Sequence, residues 1–362
     1  MALTNPVTTA RANPGSRGQA WVTKPMLVTL VLLGTFPYWG PRVGLYSYLG
    51  VEVVIWMIYG LGFNLLLGYT GLPSFGHGAF FGVGAYAYGL CYLGVTPSPL
   101  LALLSAGLAG GLAAGMVGCF IAHRRGIYFA LMTIACGQVF WFVSMKWRSV
   151  TGGEDGLLNV HRAVLGIGPI KASLRDNTAL FYFVVALLAV SLVFLWRLVH
   201  SPFGKALQAI RMNETRAKFV GYNVWLTKWA VFAISGAFAG ISGGLLAMAQ
   251  ESAYPEVMSV HGSGFIVMAT LIGGGMVSFW GPVIGALVFI VARDLLGTLT
   301  ETWLLWYGLL FMAVVLFQPE GIAGAWQSAA KFFRRRAKNS ANESAAAGVR
   351  GELPREARDG SV

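Results

Sequence analysis

The sequence predicts an all-α polytopic membrane protein with about ten transmembrane helices, some of them broken or re-entrant, and a polar cytoplasmic hairpin. Hydrophobic residues make up 56% of the 362 residues and charged residues only 11%, whereas a typical soluble domain has about 25% charged residues. A surface this poor in charge has to face lipid. The 48 glycines fit the same class, because glycine is more frequent in membrane helices than in soluble ones.

Apolar runs give the positions of the spans. A helix needs about 20 apolar residues to cross a bilayer, and the shorter runs here are expected to be tilted, re-entrant or buried in protein. The predicted spans are residues 26–38, 51–69, 79–93, 100–122, 127–145, 180–199, 229–249, 264–279, 282–296 and 303–317.

Basic residues in short loops predict which parts of the chain stay in the cytoplasm. They place an N-terminal tail (1–25), a hairpin (200–228) and a basic, disordered C-terminal tail (327–362) on the cytoplasmic side of a membrane domain (26–326). The loop 146–178 then lies outside, although it carries several basic residues that this rule does not explain.

The net charge of +12 would suggest nucleic acid as a partner in a soluble protein. Here the basic clusters 123–125 and 334–336 lie beside apolar runs, which favours membrane topology and anionic lipid instead. No nucleic-acid partner is expected.

The three cysteines lie within apolar runs without metal-ligand spacing, so neither a disulfide framework nor a metal site is predicted.

Two ladders of glycine recur at every fourth residue. Such spacing puts small residues on one helix face, where a neighbouring backbone can approach closely. Packing within the chain is the favoured interpretation, and a subunit interface is the alternative. The ladders are Gly107, Gly111 and Gly115, and Gly236, Gly240 and Gly244.

A first break interrupts the apolar residues at 68–84, where Pro73 stands among glycines. Broken backbone is tolerated at membrane depth only inside protein or beside a water-filled cavity, and transporters build their central sites from such breaks. A tight turn at the membrane surface is the alternative. His77 is a functional candidate there, although a hydrogen bond to a freed carbonyl is the favoured role. The candidate translocation-path residues are Ser74, Phe75, Gly76, His77 and Gly78.

A second break at 273–282 shares the pattern Gly-x-x-Ser-Phe with the first. Paired breaks are typical of internal repeats in transporters, and a chance match is the alternative. Its path candidates are Gly274, Gly275 and Ser278. The break lacks the Gly-Lys-Ser/Thr ending of a phosphate loop, so this chain is not expected to hydrolyse ATP.

The hairpin alternates charged and apolar residues at helical spacing. Asn213 is predicted to cap a second short helix and Gly221 to end it. A solvated loop is the alternative, but the amphipathic pattern favours a docking element.

Acids within the spans are few and lie near span ends, which counts against an ion-driven carrier. They are Glu52, Asp294 and Glu301.

Several motifs in a fixed order make the chain resemble the LivM-type permeases of bacterial ABC importers. The similar segments are residues 62–86, 147–156, 201–221, 280–285 and 316–324. Lys205 stands where the family pattern has Arg, and Thr215 and Arg216 depart from the strict Glu-Ala-Ala-x-x-x-Gly form of the hairpin.

The resemblance implies a permease of the bacterial inner membrane, with loop 146–178 in the periplasm. It would pair with a LivH-type second permease, two ATPase subunits and a periplasmic binding protein. This chain would bind no cofactor, while the partners use ATP and Mg. The hairpin residues implied to couple to the ATPases are Gly204, Lys205, Ala209, Arg211, Glu214, Ala217 and Gly221.

The family's substrates are branched-chain and other hydrophobic amino acids, and near relatives move urea, short amides or aromatic acids. The motifs do not separate these classes. An ion-coupled carrier or channel that works alone, and a membrane scaffold or enzyme, are the more distant alternatives.

Overall fold

The computed structural model describes residues 24–162, 164–167, 170–260, 267, 275, 278–317 and 321. Within that part of the chain, six helices are long and apolar enough to cross a membrane. This confirms the polytopic helical class and is compatible with the predicted ten spans. Most of the predicted span 264–279 and of both tails, 1–25 and 327–362, lie outside the described residues.

The helices are numbered here in chain order. They are α1 Lys24–Gly34, α2 Phe36–Trp39, α3 Ser47–Asn64, α4 Gly78–Gly94, α5 Pro99–Ile121, α6 Gly126–Lys146, α7 Arg148–Thr151, α8 Asn177–His200, α9 Pro202–Met212, α10 Glu214–Phe219, α11 Val224–Gln250, α12 Gly281–Leu299 and α13 Trp303–Phe317. A π turn at Leu65–Tyr69 extends α3, and short 3₁₀ turns lie at Gly40–Val43, Gly153–Asp155 and Pro255–Met258.

The buried fractions show which helices form the centre of the bundle. Of the most apolar window of α3, 94% is buried within the protein, and the value for α11 is 78%. The corresponding value for α6 is only 22%. The centre is therefore built around α3 and α11, while α6 lies at the outside of the bundle with most of its surface exposed.

Residue size rather than polarity gives α5 its two faces. Its outward stripe consists of large apolar side chains, each more than half exposed: Leu101, Leu104, Leu108, Leu112 and Met116. Its inward face consists mostly of glycine and alanine. In lipid both faces are apolar, so small residues mark the face that packs against another helix.

Both glycine ladders lie at the contact between α5 and α11, which agrees with the prediction that they serve packing within the chain, and each ladder packs against other residues of the facing helix. A Cβ added at Gly110 would lie 2.6 Å from the carbonyl oxygen of Gly236 and 2.8 Å from the Cα of Gly240. A Cβ added at Gly84, on α4, would overlap the Gly240 carbonyl. Helices α4, α5 and α11 therefore touch backbone to backbone.

The two ends of the bundle are distinguished by their contacts. At one end, here called the hairpin face, the Lys228 ammonium donates to the Arg124 carbonyl at 3.2 Å, which joins α11 to the loop between α5 and α6. At the opposite end, the loop face, Leu157 and Ala253 exchange backbone hydrogen bonds of 2.8 and 2.9 Å. The hairpin and the long loop 146–178 thus lie at opposite ends.

Two of the three acids within the predicted spans, Glu52 and Asp294, have partners near the loop face, where the start of α3 meets α12. Glu52 lies 2.5 Å from the guanidinium of Arg293, and Tyr46 donates to a carboxylate oxygen of Asp294 at 2.8 Å. These two carboxylates therefore link the start of α3 to α12, whereas the sequence alone suggested only that water could reach them.

Two local features depart from the predicted outline. The predicted span 26–38 is divided at Thr35, since α1 ends at Gly34 and the next helix has Pro37 in its first turn, where proline is tolerated. The loop 146–178 contains two antiparallel strands, Val164–Ile167 and Ile170–Ser173. Apolar runs on each side of Gly168-Pro169 are the sequence signal that would have predicted this pair.

Replacing Gly240 by Ala tests the backbone contact. The added methyl group would overlap the carbonyl of Ala106, which cannot rotate away as a side chain can. We expect a loss of about 1–3 kcal/mol of stability, measured as a lower midpoint of thermal unfolding in detergent. Gly308→Ala on α13 is the control, because nothing lies within 4 Å of its added Cβ. Equal midpoints for the two variants would contradict the close approach.

Candidate coupling and translocation site

The hairpin between α8 and α11 consists of α9 and α10, joined at Asn213. The backbone of Asn213 is extended, and its side chain accepts a hydrogen bond from the Arg216 amide at 2.9 Å. This is the N-cap that the sequence predicts. Gly221 follows α10 with φ of +98°, a conformation that favours glycine. Asn223 then caps α11 through the Leu226 amide at 3.1 Å.

Small residues let the hairpin lie close to the helix ends. A Cβ at Gly204 would overlap the Val199 carbonyl at the end of α8, so the tight connection requires glycine there. Ile210, Ala217 and Val224 are buried against one another, with Ala209 packed beside them. The apolar face of the hairpin is therefore folded onto itself and onto the start of α11, while Lys205 and Arg211 lie at its surface.

Glu214 is the centre of an ion cluster that holds the hairpin to the bundle. One carboxylate oxygen lies 2.5 Å from the ammonium of Lys228, and the other lies 2.5 Å from the guanidinium of Arg125. The Lys228 side chain is only 1% exposed and that of Glu214 13%, whereas that of Arg125 is 51% exposed. Because a buried charge is costly without its partner, the Glu214–Lys228 pair fixes the first turn of α10 against α11.

Large apolar side chains are unusually exposed on the outer surface of the hairpin, among charged ones such as Arg216 and Lys218. Met212 and Phe219 are 86% and 88% exposed. Beside them lies a concavity of about 290 Å³ lined by Ala209, Met212, Asn213, Arg216, Ala217, Val220 and Tyr222. Exposed apolar patches rimmed by polar residues mark interaction sites.

The first break begins where α3 ends. Gly71 has φ of +75°, and its amide donates to Leu67 at 3.1 Å, so the helix closes on a left-handed glycine. The carbonyl of Gly68, one turn earlier, accepts a hydrogen bond from the guanidinium of Arg211 on the hairpin. The break and the hairpin are therefore in direct contact.

The chain then lies against the middle of α6. The Phe75 amide donates to the Thr133 hydroxyl at 3.2 Å, and a Cβ at Gly76 would overlap the Thr133 carbonyl. Gly78 begins α4 and is buried. Residues 76–78 of the break are thus packed within protein, which is the condition for broken backbone at membrane depth.

His77 is fully buried in an aromatic cage. Its Nε2 lies 3.0 Å from the Ser235 hydroxyl on α11. Tyr59 stacks on the imidazole with the ring centroids 5.9 Å apart, and Phe63 lies at 5.0 Å. The hydrogen-bond partner is a hydroxyl rather than the freed backbone carbonyl that we favoured from sequence, and the ring joins the break to α3 and α11.

Ser74 and Phe75 differ in their surroundings. Ser74 is 1% exposed, and within the described part of the chain its hydroxyl has no hydrogen-bond partner. Phe75 is 39% exposed. Of the five path candidates in this break, Ser74 thus offers an available buried hydroxyl and Phe75 reaches the protein surface.

The second break contacts α3 near the helix end that precedes the first break. The Asn64 side-chain amide, near the end of α3, donates to the Ser278 carbonyl at 3.2 Å. Gly275 has φ of +115°, and a Cβ at Gly281 would overlap its carbonyl. Gly274 lies outside the described residues. The candidates Ser74–Gly78 and Gly275–Ser278 are therefore linked through α3.

Five residues whose polar or charged side chains hold this arrangement together were not predicted as site residues: Asn64, Arg125, Thr133, Lys228 and Ser235. Lys228 directly precedes the predicted span 229–249, and an ionisable residue at the edge of an apolar span is a functional candidate. We counted it only as a cytoplasmic positive charge. Asn64 and Ser235 lie on helices whose apolar pattern does not reveal their partners.

Comparison with known proteins identifies the family. The family model described as branched-chain amino acid transport system, permease component, matches residues 45–318. The chain therefore belongs to this family of multi-pass membrane transport permeases.

Individual relatives agree with the family match. The chain is 30% identical over 290 residues to the high-affinity branched-chain amino acid transport permease LivM of Salmonella typhimurium, covering 74% of this chain and 68% of the relative. It is 33% identical over 153 residues to the probable LivH permease of Methanocaldococcus jannaschii, covering 39% of this chain and 46% of the relative.

A more distant relative has another substrate in its name. The guanosine ABC transporter permease NupQ of Bacillus subtilis is 26% identical over 201 residues, covering 53% of this chain and 61% of the relative. No solved structure has a significant match to the chain.

The ion cluster predicts unequal effects of removing its charges. Glu214→Gln leaves the buried Lys228 ammonium with only a carbonyl acceptor, and we expect a loss of about 3–5 kcal/mol. Arg125→Gln removes a half-exposed partner and should cost at most about 1 kcal/mol. Both losses are measured by thermal unfolding in detergent.

The double variant Glu214→Gln/Lys228→Met completes this test. It removes both buried charges, so it should recover much of the stability lost in Glu214→Gln. A double variant as unstable as the sum of its two single variants would show that the pair does not interact.

Proposed function

We propose that this chain is the membrane-spanning permease subunit of a binding-protein-dependent ABC importer, which takes up branched-chain and other hydrophobic amino acids by ATP-driven alternating access. Its place would be the bacterial inner membrane, with the hairpin face and both termini in the cytoplasm. Two ATPase subunits would bind ATP and Mg, this chain would bind no cofactor, and a periplasmic binding protein would deliver substrate at the loop face. The similarity to a LivH permease supports a second permease of related build.

The observation that carries the proposal is the outer surface of the hairpin with its exposed apolar side chains. Met212 and Phe219 are almost fully exposed in a loop that faces water. Because exposed apolar patches mark interaction sites, we expect a partner protein to cover them. The ion pair of Glu214 with Lys228 fixes the orientation of this surface. The surface is therefore suited to receive an ATPase subunit and to transmit its movement to the helices.

The proposed path passes beside both breaks. Its residues are Ser74, Phe75, Gly76, His77 and Gly78 in the first break and Gly274, Gly275 and Ser278 in the second. The uncommitted hydroxyl of Ser74 and the contact between Asn64 and Ser278 support this placement. Movement of either break would alter the packing between α3, α6 and α11.

Reconstitution with partners tests the class of transporter. Liposomes containing this chain, the second permease and the ATPases should take up radiolabelled leucine only when ATP is inside and the binding protein outside. Uptake by this chain alone under an ion gradient would show instead that the protein is an ion-coupled carrier that works without ATPase subunits. Excess unlabelled valine, guanosine, urea, acetamide or benzoate identifies the substrate class, and guanosine is included because of the NupQ relative. Only valine should compete with leucine.

A charge on the outer surface of the hairpin tests ATPase docking. Val220 is 72% exposed and lines the concavity, so Val220→Glu should leave the fold intact. A buried carboxylate at the interface should weaken ATPase binding at least tenfold, about 1.4 kcal/mol, measured by co-purification and by leucine uptake. Gln208→Glu is the matched control, since Gln208 is exposed on α9 but lies outside the concavity. Equal loss in both variants would disprove docking at this surface.

A further inference from the structure

The end of α3 leaves a backbone carbonyl that the helix itself does not satisfy. In a continuing α-helix, the Leu72 amide would donate to the Gly68 carbonyl. Here it donates instead to Leu66 at 3.0 Å, while the Gly71 amide donates to Leu67 at 3.1 Å. In the usual glycine-ended cap, the Leu72 amide would donate to Leu67 and the Gly71 amide to Gly68. Each bond here reaches one residue further back, as expected for a helix end widened by a π turn. The Gly68 carbonyl is freed by this arrangement.

Arg211 satisfies that carbonyl from the hairpin. Its guanidinium donates to the Gly68 oxygen across 143 residues of sequence. Its aliphatic stem passes over Gly71, because a Cβ added there would lie 3.1 Å from the Arg211 Cγ. One side chain thus contacts two residues of the break, and the absence of a side chain at Gly71 makes room for it.

The position of Arg211 within the hairpin makes this contact responsive to the partner. It is in the last turn of α9, beside the exposed Met212 and the Asn213 cap, which both line the concavity. Displacement of that surface would displace the guanidinium as well. On the other side, the same end of α3 holds the second break through Asn64 and Ser278.

We propose that Arg211 is the positioning residue that makes the hairpin and the broken end of α3 move together. This inference rests on the proposed function and adds the contact by which movement of the hairpin reaches the path. The hairpin position in which Arg211 bonds Gly68 favours the break geometry described here. When the ATPases displace the hairpin, the Arg211 guanidinium moves away from the Gly68 carbonyl. The break is therefore more stable in one hairpin position than in the other. Such a difference in stability is the condition for coupling.

The coupling ratio of the reconstituted importer tests this role. Arg211→Ala should raise the ATP hydrolysed per leucine transported at least about tenfold, because the ATPases still bind but their movement no longer reaches α3. Arg211→Lys should restore part of the coupling, since an ammonium can also donate to a carbonyl. Gln208→Ala, one turn earlier on the exposed side of α9, should leave the ratio unchanged.

Hydrogen exchange on the chain alone gives a second measurement that needs no partner. In Arg211→Ala the amides of residues 65–72 should exchange about tenfold faster than in wild type or Gln208→Ala, because the break loses its charge-assisted bond. Exchange and coupling that match Gln208→Ala would overturn the inference. If the wild-type assembly takes up no leucine, the proposed function is wrong, while the exchange measurement still decides whether Arg211 holds the break.

Discussion

The backbone contact between α5 and α11 is the constraint on which the rest of the bundle depends. Lipid is as apolar as the side chains, so burial of apolar surface gives these helices little reason to associate. Glycine and alanine allow the helices to approach until a carbonyl of one lies against the Cα of the other, as at Gly110 and Gly236. Helix α4 joins the same contact at Gly84. The three helices form a closely packed unit against which the breaks and the hairpin are positioned.

Polar contacts near the hairpin face complete this unit. The hairpin is fixed by the Glu214–Lys228 pair at the start of α11 and by Arg211 at the end of α3. The first break is fixed by Thr133 on α6 and by the bond between His77 and Ser235 on α11. Every one of these contacts joins different elements, so a displacement of the hairpin would be shared by several helices. Each is also a discrete bond that can be made or broken, as a two-state transporter needs.

The sequence predicted the local features of the site well. The Asn213 cap, the glycine after α10 and the interruption at Pro73 each follow from the conformational preferences of one or two residues, which act within a single turn. It did not predict that Lys228 would be buried beside Glu214, or that Asn64 would reach Ser278. These pairs lie far apart in the chain, and the apolar helices between them carry no polar pattern from which a partner could be inferred.

The sequence by itself determined that this protein spans a membrane many times, where its helices are interrupted, and that a polar amphipathic hairpin separates two spans. Composition and local backbone preference are sufficient for these conclusions, because lipid requires apolar runs and glycine or proline ends a helix. Only the tertiary structure decided that both glycine ladders lie at the contact between α5 and α11, that His77 lies in an aromatic cage, and that the hairpin contacts the break through Arg211. Those outcomes depend on which helices become neighbours, and uniformly apolar helices do not encode their neighbours in any local pattern.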